Sequence, residues 1–598
     1  MKRYFDRFIL VQLLQSFFTT WALMKVAHME PGNVFTAVFF LSVFVLYGAI
    51  KRRVNTRDIC TLKKTKAVAV TLSVIFAFFY MVVDYVYYIK TLTNLMFQLM
   101  ILTVVSVGLV TLFYYLILLL FSFVAGDEEF ARFWYREKTE CFYDRYAGLV
   151  SFLICMVCWF PYFLYLFPGV MTPDSIVQFE QVLGLREYSN HHPIAHTLLI
   201  KFFYNIGTIF TTNRTIAISV YTLFQMCFMA GVVSYFIKML AAYRIRILVR
   251  VIVTLFYALV PYHAVYSVTI WKDILFAGAV LLFGCSLLRL SKKIAVSDCL
   301  IFGLSGIMVC LFRSNGWYGF VLCVPFLFFY FRKKAKAMFP VLLTILATAI
   351  VVKYPIMNRA GVVQPDFIES LSIPTQQIAH VICNDRELTE EQLDLLEKVI
   401  EVEHVKELYV PTISDNMKEL VRAGNQDYLV QHKGDFLKLW IELGCKYPWD
   451  YLEAYVNQTY GYFYPDSFYL VAEAEGVSGT RLGVSHTPLI RGPLVVKVKE
   501  ISIKLGSMIP IYSLLWSMGV VFWTLLFCIG CVLVRNEKAK LIYYLQSLAL
   551  YLTVMIATPV ATEFRYVYFM IFSLPFYLMV VVLQEPDRVK EKLPEESL

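Results

Sequence analysis

Long apolar runs constrain this chain more than any other feature of its sequence. A run of about 20 apolar residues is long enough for a helix to cross the hydrocarbon core of a bilayer. Hydrophobic residues make up 59% of the 598 residues and charged residues only 16%, whereas soluble domains are about half apolar and about a quarter charged. The sequence therefore predicts an all-α polytopic membrane protein.

Fourteen apolar runs are predicted to span the membrane. They lie near residues 8–26, 34–50, 67–86, 97–124, 149–167, 216–238, 250–268, 272–290, 295–312, 317–331, 338–354, 509–534, 541–560 and 566–584. A further apolar run at 197–211 is interrupted by Lys201 and Asn205. We expect this run to be re-entrant or to lie along the membrane surface.

Basic residues in the short loops predict the orientation of the chain. With a cytoplasmic N-terminus, Lys51, Arg52 and Arg53, and likewise Lys292 and Lys293, fall in cytoplasmic loops. Such loops carry an excess of Lys and Arg, so the net charge of +10 reflects topology. The chain contains no recognisable nucleic-acid-binding motif. We expect a multi-pass protein with both termini in the cytoplasm.

The predicted spans divide the chain into four parts. They are an N-terminal four-helix membrane module at 1–148, a membrane core at 149–354 with its first large outer loop at 168–197, a mainly helical extracytoplasmic domain at 355–508, and a three-helix membrane segment with a cytoplasmic tail at 509–598. Within the extracytoplasmic domain, Thr389 and Gln392 have the spacing of a capping box at a helix start. The same domain holds Cys383 and Cys445, and a disulfide between them is left open.

Conspicuous polar residues gather at the predicted outer ends of the spans. The first large outer loop carries Asp174, His191, His192 and His196. Three very short outer junctions carry Lys272 with Asp273, Arg313 with Asn315, and Glu563 with Arg565. Charged side chains beside hydrocarbon are costly and usually serve a function. All four groups are predicted to lie on one face of the membrane, where they would form a cavity with several acids and at least three cations.

This mixture of charges suits a phosphate-bearing substrate at a membrane surface. The planar guanidinium of Arg matches the geometry of phosphate oxygens. Fixed cations also stabilise the charge on a departing phosphate, and a carboxylate within hydrogen-bond reach can accept the proton of a hydroxyl. Glycosyl transfer from a lipid-phosphate sugar needs both kinds of group.

The arrangement resembles the GT-C superfamily of polytopic glycosyltransferases, which includes protein mannosyltransferases and lipid A aminoarabinose transferases. Asp174, in the sequence Thr-Pro-Asp-Ser, resembles the essential acid that those enzymes carry in their first large outer loop. Four motifs are more similar to a largely uncharacterised family of Gram-positive bacterial membrane proteins. They are Ser-Asn-His-His-Pro at 189–193, Trp-Lys-Asp at 271–273, Arg-Ser-Asn-Gly at 313–316 and Glu-Phe-Arg at 563–565.

The resemblance implies a GT-C-like fold and an inverting transfer of a sugar from a polyprenyl-phosphate donor. The acceptor would be a glycan, teichoic acid-like polymer, lipid or protein at the outer face of a bacterial plasma membrane. Asp174 is then expected to be the general base. The expected donor-phosphate ligands are Lys272, Arg313 and Arg565, and the expected supporting residues are His191, His192, Asp273, Asn315 and Glu563.

Two features of the resemblance leave the chemistry open. Many GT-C enzymes place a second acid beside the first, whereas Ser175 follows Asp174 here. No cofactor is firmly indicated, and whether a divalent metal binds near His191 and His192 is left open.

A transporter or flippase of lipid-linked saccharides is the main alternative function, because the same cations would select phosphate without bond breaking. An envelope phosphotransferase or polymer ligase is a third reading.

Overall fold

The structure is a computed structural model that describes residues 2–29, 34–124, 133–135, 142–469, 476–479, 481–557 and 559–583. Across these ranges the chain is helical, and extended pairing is limited to isolated bridges. Ten of the described helices are long and apolar enough to cross a membrane. The prediction of an all-α chain with many candidate membrane spans is therefore confirmed. The predicted cytoplasmic tail beyond residue 584 lies outside the described residues.

The ten candidate spans account for most of the apolar runs. They are Ile9–Val26, Phe35–Asn55, Lys63–Ile89, Leu95–Val124, Tyr143–Tyr165, Arg214–Ala242, Lys272–Lys292, Arg332–Arg359, Lys538–Ala557 and Phe564–Val582. Three further described helices, Ile194–Phe210, Val296–Phe312 and Met518–Val534, are apolar but shorter. The run at 250–268 forms two helices that meet at a bend of 59°. The predicted count of fourteen spans therefore stays a prediction.

The chain divides into two compact units. One unit contains residues 1–135, 522–541 and 577–598. Its helices in the N-terminal part are α1 (Lys2–Val26), α2 (Phe35–Asn55), α3 (Asp58–Thr61), α4 (Lys63–Ile89) and α5 (Leu95–Val124). Side-chain hydrogen bonds join these helices: the Thr19 and Tyr47 hydroxyls lie 2.6 Å apart, and Gln15 accepts from Lys51 and Tyr115. Such bonds are a common means of association between helices in membranes.

The second unit contains residues 136–521 and 542–576. The insert, the part of the chain predicted at 355–508, lies within this unit. The helices of the unit up to residue 359 are α6 (Phe142–Tyr165), α7 (Pro173–Val182), α8 (Ile194–Phe210), α9 (Arg214–Ala242), α10 (Ile247–Leu259), α11 (Pro261–Ser267), α12 (Lys272–Lys292), α13 (Val296–Phe312), α14 (Ser314–Tyr330), α15 (Ala335–Val351) and α16 (Met357–Arg359). The run interrupted by Lys201 is thus helix α8, with 17 residues. The four parts predicted from the sequence have boundaries that differ from those of the two units, and they stay a prediction.

The insert has its own hydrophobic core inside the second unit. Its helices are α17 (Ser372–Cys383), α18 (Glu390–Glu397), α19 (Val405–Leu408), α20 (Asp415–Ala423), α21 (Gln426–Gln431), α22 (Lys433–Lys446) and α23 (Pro448–Thr459). Buried Ile378, Leu396 and Leu439 belong to this core. The predicted capping box at Thr389 is confirmed, with hydrogen bonds in both directions. The cysteines of the insert are free thiols, so the disulfide left open at residues 383 and 445 is not formed.

The remaining helices follow α23. They are α24 (Pro493–Met508), α25 (Met518–Val534), α26 (Ile542–Ala557), α27 (Tyr568–Phe572) and α28 (Leu574–Val582). A single 3₁₀ turn, Phe564–Val567, precedes α27 and carries Arg565.

Candidate functional site

The segment that leads to Asp174 is held by hydrogen bonds on both sides. Val170 exchanges two backbone hydrogen bonds with residues 268–270, at 3.0 and 2.9 Å. Met171 exchanges two more with residues 476–478, at 3.0 and 2.8 Å. Helix α7 then begins at Pro173, a residue whose fixed φ suits the first helical position. Asp174 is therefore placed by backbone contacts with two distant parts of the chain.

Side-chain hydrogen bonds join the start of α7 to the start of α12. The Trp271 indole donates to the Thr172 hydroxyl at 2.8 Å, and the Ser175 hydroxyl donates to the Ile270 carbonyl at 2.7 Å. These two bonds lie on either side of Asp174 in the sequence. They bring the first residue of α12, Lys272, next to the Asp174 carboxylate.

One Asp174 oxygen faces two cations. Arg565 Nη1 donates to Asp174 Oδ2 at 2.9 Å, and Lys272 Nζ lies 3.9 Å from the same oxygen. On its other side, Arg565 donates from Nε to Glu563. The side chains of Asp174 and Glu563 are about one-third exposed (32% and 33%), whereas those of Lys272 and Arg565 are 16% and 17% exposed. These four residues are called the Asp174 cluster below, and its two acids are the more exposed members.

The two acids have opposite pKa shifts. Burial raises the pKa of Asp174, but the charges of Lys272 and Arg565 outweigh burial and hold that pKa well below its usual range. For Glu563, burial outweighs the favourable charge of Arg565 and raises the pKa. A pair of titratable groups whose environments separate their pKa values is typical of sites that move protons. Asp174 is thus the acid held ionised, and Glu563 is the acid closer to taking up a proton.

Arg313 and Asp273 form a second, more deeply buried pair. Arg313 Nη1 lies 2.8 Å from Asp273 Oδ1, with side chains only 8% and 1% exposed. Arg313 also donates to the Tyr566 carbonyl at 3.1 Å. The amide nitrogen of Asn315 is buried without a hydrogen-bond partner. The structure therefore brings Arg313 to Asp273 but places it behind the accessible surface, and its predicted contact with donor phosphate stays a prediction.

The adjacent histidines have different partners. Lys272 Nζ donates to His192 Nδ1 at 2.9 Å, so a neutral His192 carries its proton on Nε2. Burial and the nearby Lys272 charge both lower the pKa of His192. The half-exposed His191 lies 3.9 Å from a carboxylate oxygen of Glu369, a residue of the insert. His192 thus positions a cation, and His191 contacts the insert.

His196 is part of the core rather than the accessible cluster. Its ring nitrogens contact the Gln178 amide oxygen at 3.0 Å and the Tyr221 hydroxyl at 2.6 Å. The side chain is fully buried between α7, α8 and α9. It therefore joins the three helices that carry the Asp174 loop.

The donor set does not fit a divalent metal. Across the described ranges, no three His, Cys, Asp or Glu residues are grouped so as to hold a metal ion. The accessible Asp174 oxygen already faces Arg565 and Lys272, and the same lysine occupies Nδ1 of His192. Two fixed positive charges would repel a divalent cation at this oxygen. The chemistry considered below therefore contains no step at a metal.

Several contributing residues were not singled out as functional from the sequence. The Arg565 guanidinium lies 4.8 Å from the centre of the Trp271 ring, and the Arg313 guanidinium lies 4.8 Å from the centre of the Tyr566 ring. Both are neighbours of predicted site residues, so proximity in sequence was a usable signal. Glu369 lies far along the chain within the insert, and no local pattern connects it to His191.

A family model described as "Family of unknown function (DUF6020)" matches residues 184–594. The chain belongs to this family. The DUF6020 match includes His191, His192, Lys272 and Arg565, and it begins after Asp174. No curated protein and no solved structure matches the chain.

Proposed function

We propose that this DUF6020 protein is a membrane glycosyltransferase that moves a sugar from a polyprenyl-phosphate donor to an acceptor hydroxyl. One observation carries the proposal. The Asp174 carboxylate is accessible, yet it lies 2.9 Å from Arg565 and 3.9 Å from Lys272. A proton acceptor beside fixed cations offers the two functions that this reaction requires, namely removal of the hydroxyl proton and stabilisation of the leaving phosphate.

The proposed step is a single displacement at the anomeric carbon of the sugar. The acceptor oxygen forms a bond to that carbon while the bond from the carbon to the phosphate oxygen breaks. The bonding electrons leave with polyprenyl phosphate, whose charge Lys272 and Arg565 stabilise. Asp174 takes the acceptor proton, and attack opposite the leaving group inverts the anomeric centre.

Donor binding would activate the base. A carboxylate whose pKa is held far below neutral is a weak base, because proton transfer is most efficient when the pKa lies near the working pH. A phosphate that binds Lys272 and Arg565 would add negative charge beside Asp174 and weaken both ion pairs. Both effects raise the pKa of Asp174. We therefore expect the donor to bind before the acceptor is deprotonated.

The location of the site follows from the predicted topology. With the N-terminus in the cytoplasm, the Asp174 cluster and the insert lie at the outer face of a bacterial plasma membrane, where cell-envelope acceptors are found. The insert contacts the loop at 168–197 through Glu369, which lies near His191, and through two backbone hydrogen bonds of Val363 with residues 188–190. Acceptor recognition is the role that we propose for the insert.

The test uses purified protein in lipid nanodiscs and a polyprenyl-phosphate sugar carrying ³H in the sugar and ³²P in the phosphate. Glycosyl transfer releases ³²P-labelled polyprenyl phosphate and moves only ³H to a cell-envelope extract. Phosphotransfer would move both labels together. An intact donor that merely crosses the bilayer of proteoliposomes would favour a flippase. Either of the last two results would contradict the proposal.

A further inference from the structure

Helix α24 has three distinct faces. Leu494, Val498, Ile501, Leu505 and Met508 recur at helical spacing along one face, and apart from the intermediate Leu505 each is at least half exposed. Because residues at i, i+4 and i+7 share a face, these five side chains form a continuous apolar stripe.

A polar stripe lies beside the apolar one. Lys497, Glu500, Lys504 and Ser507 follow the same helical spacing and are all exposed. It contains two lysines and one glutamate, so its formal charge is positive. An exposed apolar stripe next to a basic polar stripe is the pattern of a helix that lies in a membrane interface.

The third face packs on the protein at a defined height. The Lys499 ammonium lies 5.6 Å from the Tyr165 ring, and the Ser502 hydroxyl hydrogen-bonds with Tyr162. Both tyrosines belong to the last turn of α6, which ends a candidate span. Just before α24, the Leu489 amide donates to the Leu164 carbonyl at 2.8 Å. Tyrosines are enriched where a span meets the headgroups, so these contacts place α24 at that depth.

The chain that follows α24 supports the same depth. Only the residues 509–517 separate α24 from α25, a helix composed almost entirely of apolar residues. Exposed Ile511 and Leu514 in this connection continue the apolar surface. At the opposite face, Gly506 packs on buried Trp516, where a Cβ would come within 3.0 Å of the indole.

We propose that α24 is an interfacial helix that binds the lipid leaflet on the same side of the membrane as the Asp174 cluster. Its apolar stripe enters the boundary of the acyl chains, while Lys497 and Lys504 bind the phosphates of anionic phospholipids. The side of the membrane is set by α6, whose last turn both supports α24 and leads directly into the Asp174 loop. This proposal does not depend on the reaction that the cluster carries out.

The test places a bimane fluorophore on single added cysteines of the full chain in nanodiscs. The background carries serine at the exposed Cys227 and Cys445, and the labelled background without an added cysteine serves as the blank. Ile501→Cys and Val498→Cys report the apolar stripe, and Glu500→Cys and Lys504→Cys report the polar one on the same helix.

We expect lipid carrying a spin label on its acyl chain to quench the 498 and 501 labels severalfold more than the 500 and 504 labels. Aqueous iodide should show the reverse order. Equal iodide quenching at 500 and 501 would overturn the proposal. Protection of the 501 label from both quenchers would also overturn it, because a second copy of the chain or another protein would then cover the stripe.

The lysine contacts have a separate readout. Thermal unfolding of the full chain is compared in nanodiscs of pure phosphatidylcholine and in nanodiscs that also contain phosphatidylglycerol. We expect the anionic lipid to raise the unfolding temperature, and Lys497→Gln with Lys504→Gln to remove most of that increase. Lys438→Gln, at an exposed lysine of the insert, is the matched control. An equal increase in the double variant and the control would contradict the lipid contact.

Discussion

Neutralising Asp273 should destabilise the fold strongly. At the 2.8 Å separation of Asp273 and Arg313, Coulomb's law with an effective dielectric constant of about 20 gives a gross attraction of about 6 kcal/mol. The cost of removing both charges from water offsets much of this attraction. Replacing one partner loses the attraction but leaves the other charge buried, which typically costs about 3–5 kcal/mol. We expect Asp273→Asn to lower the free energy of unfolding by that amount.

The measurement is a thermodynamic cycle of unfolding in mixed micelles, followed by circular dichroism as the fraction of dodecyl sulfate rises. The cycle contains Asp273→Asn, Arg313→Gln and the double variant. Because the double variant leaves no uncompensated buried charge, it should lose less stability than the sum of the single variants. Glu180→Gln is the control, since Glu180 lies 3.7 Å from an arginine that is 56% exposed. Such pairs contribute about 0–1 kcal/mol.

Two results would refute this reasoning. The first is a cost for Asp273→Asn no larger than that for Glu180→Gln. The second is strict additivity of the two single variants, because coupled neighbours usually differ from additivity by about 0.5–3 kcal/mol. Either result would mean that the buried pair does not hold α12 to the start of α14.

Three smaller predictions concern a histidine, a glycine and a helix cap. The pKa of buried His192 is lowered in the folded state, so its contribution to the free energy of unfolding is complete above the ordinary histidine pKa of about 6.5 and declines as the pH falls below that value. The free energy of unfolding, measured between about pH 6.5 and 4, should therefore depend less steeply on pH in His192→Gln than in the unaltered protein. An unchanged slope would contradict the lowered pKa. Gly461→Ala should destabilise by about 1–3 kcal/mol, because its Cβ would lie 1.9 Å from the Ala561 carbonyl oxygen, whereas Gly434→Ala meets nothing within 4 Å and should not destabilise in the same assay. Thr389→Ala removes the cap of α18 and should cost about 1 kcal/mol, measured as faster amide hydrogen exchange across that helix, with no change counting against the capping role.

The class of fold was predictable because bilayer thickness fixes how many apolar residues a span needs. Runs such as Lys63–Ile89 and Leu95–Val124 exceed that length clearly. Helices of 17 residues, such as Val296–Phe312, lie at the lower limit of the length needed to span a bilayer, so composition alone does not decide whether they cross. The broken run at 250–268 is predicted as one span, although Pro261 starts a second helix there and leaves Val260 extended. A proline disfavours the helical conformation at the residue before it, so the sequence did hold a signal for this break.

The candidate site was predictable as a set of residues more readily than as a set of contacts. Short junctions between spans confine Lys272 and Arg565 to one face, which brings them near each other and near Asp174. The sequence could not indicate which acid pairs with which cation, because that depends on helix rotation. It also gave no sign that Glu563 would lie on the far side of Arg565 from Asp174. Glu563 is therefore the second acid of the cluster, whereas the expected position beside Asp174 is occupied by Ser175.

The most direct test of the central proposal compares Asp174→Asn with Glu180→Gln in the release of polyprenyl phosphate from the labelled donor. Both substitutions neutralise an acid on helix α7, but only Asp174 faces Arg565 and Lys272. Loss of a general base typically lowers rates by about 10²–10⁴-fold, so Asp174→Asn should release product at least about 100-fold more slowly. Glu180→Gln should stay close to the unaltered protein. A normal rate for Asp174→Asn, at equal amounts of folded protein, would contradict the proposal.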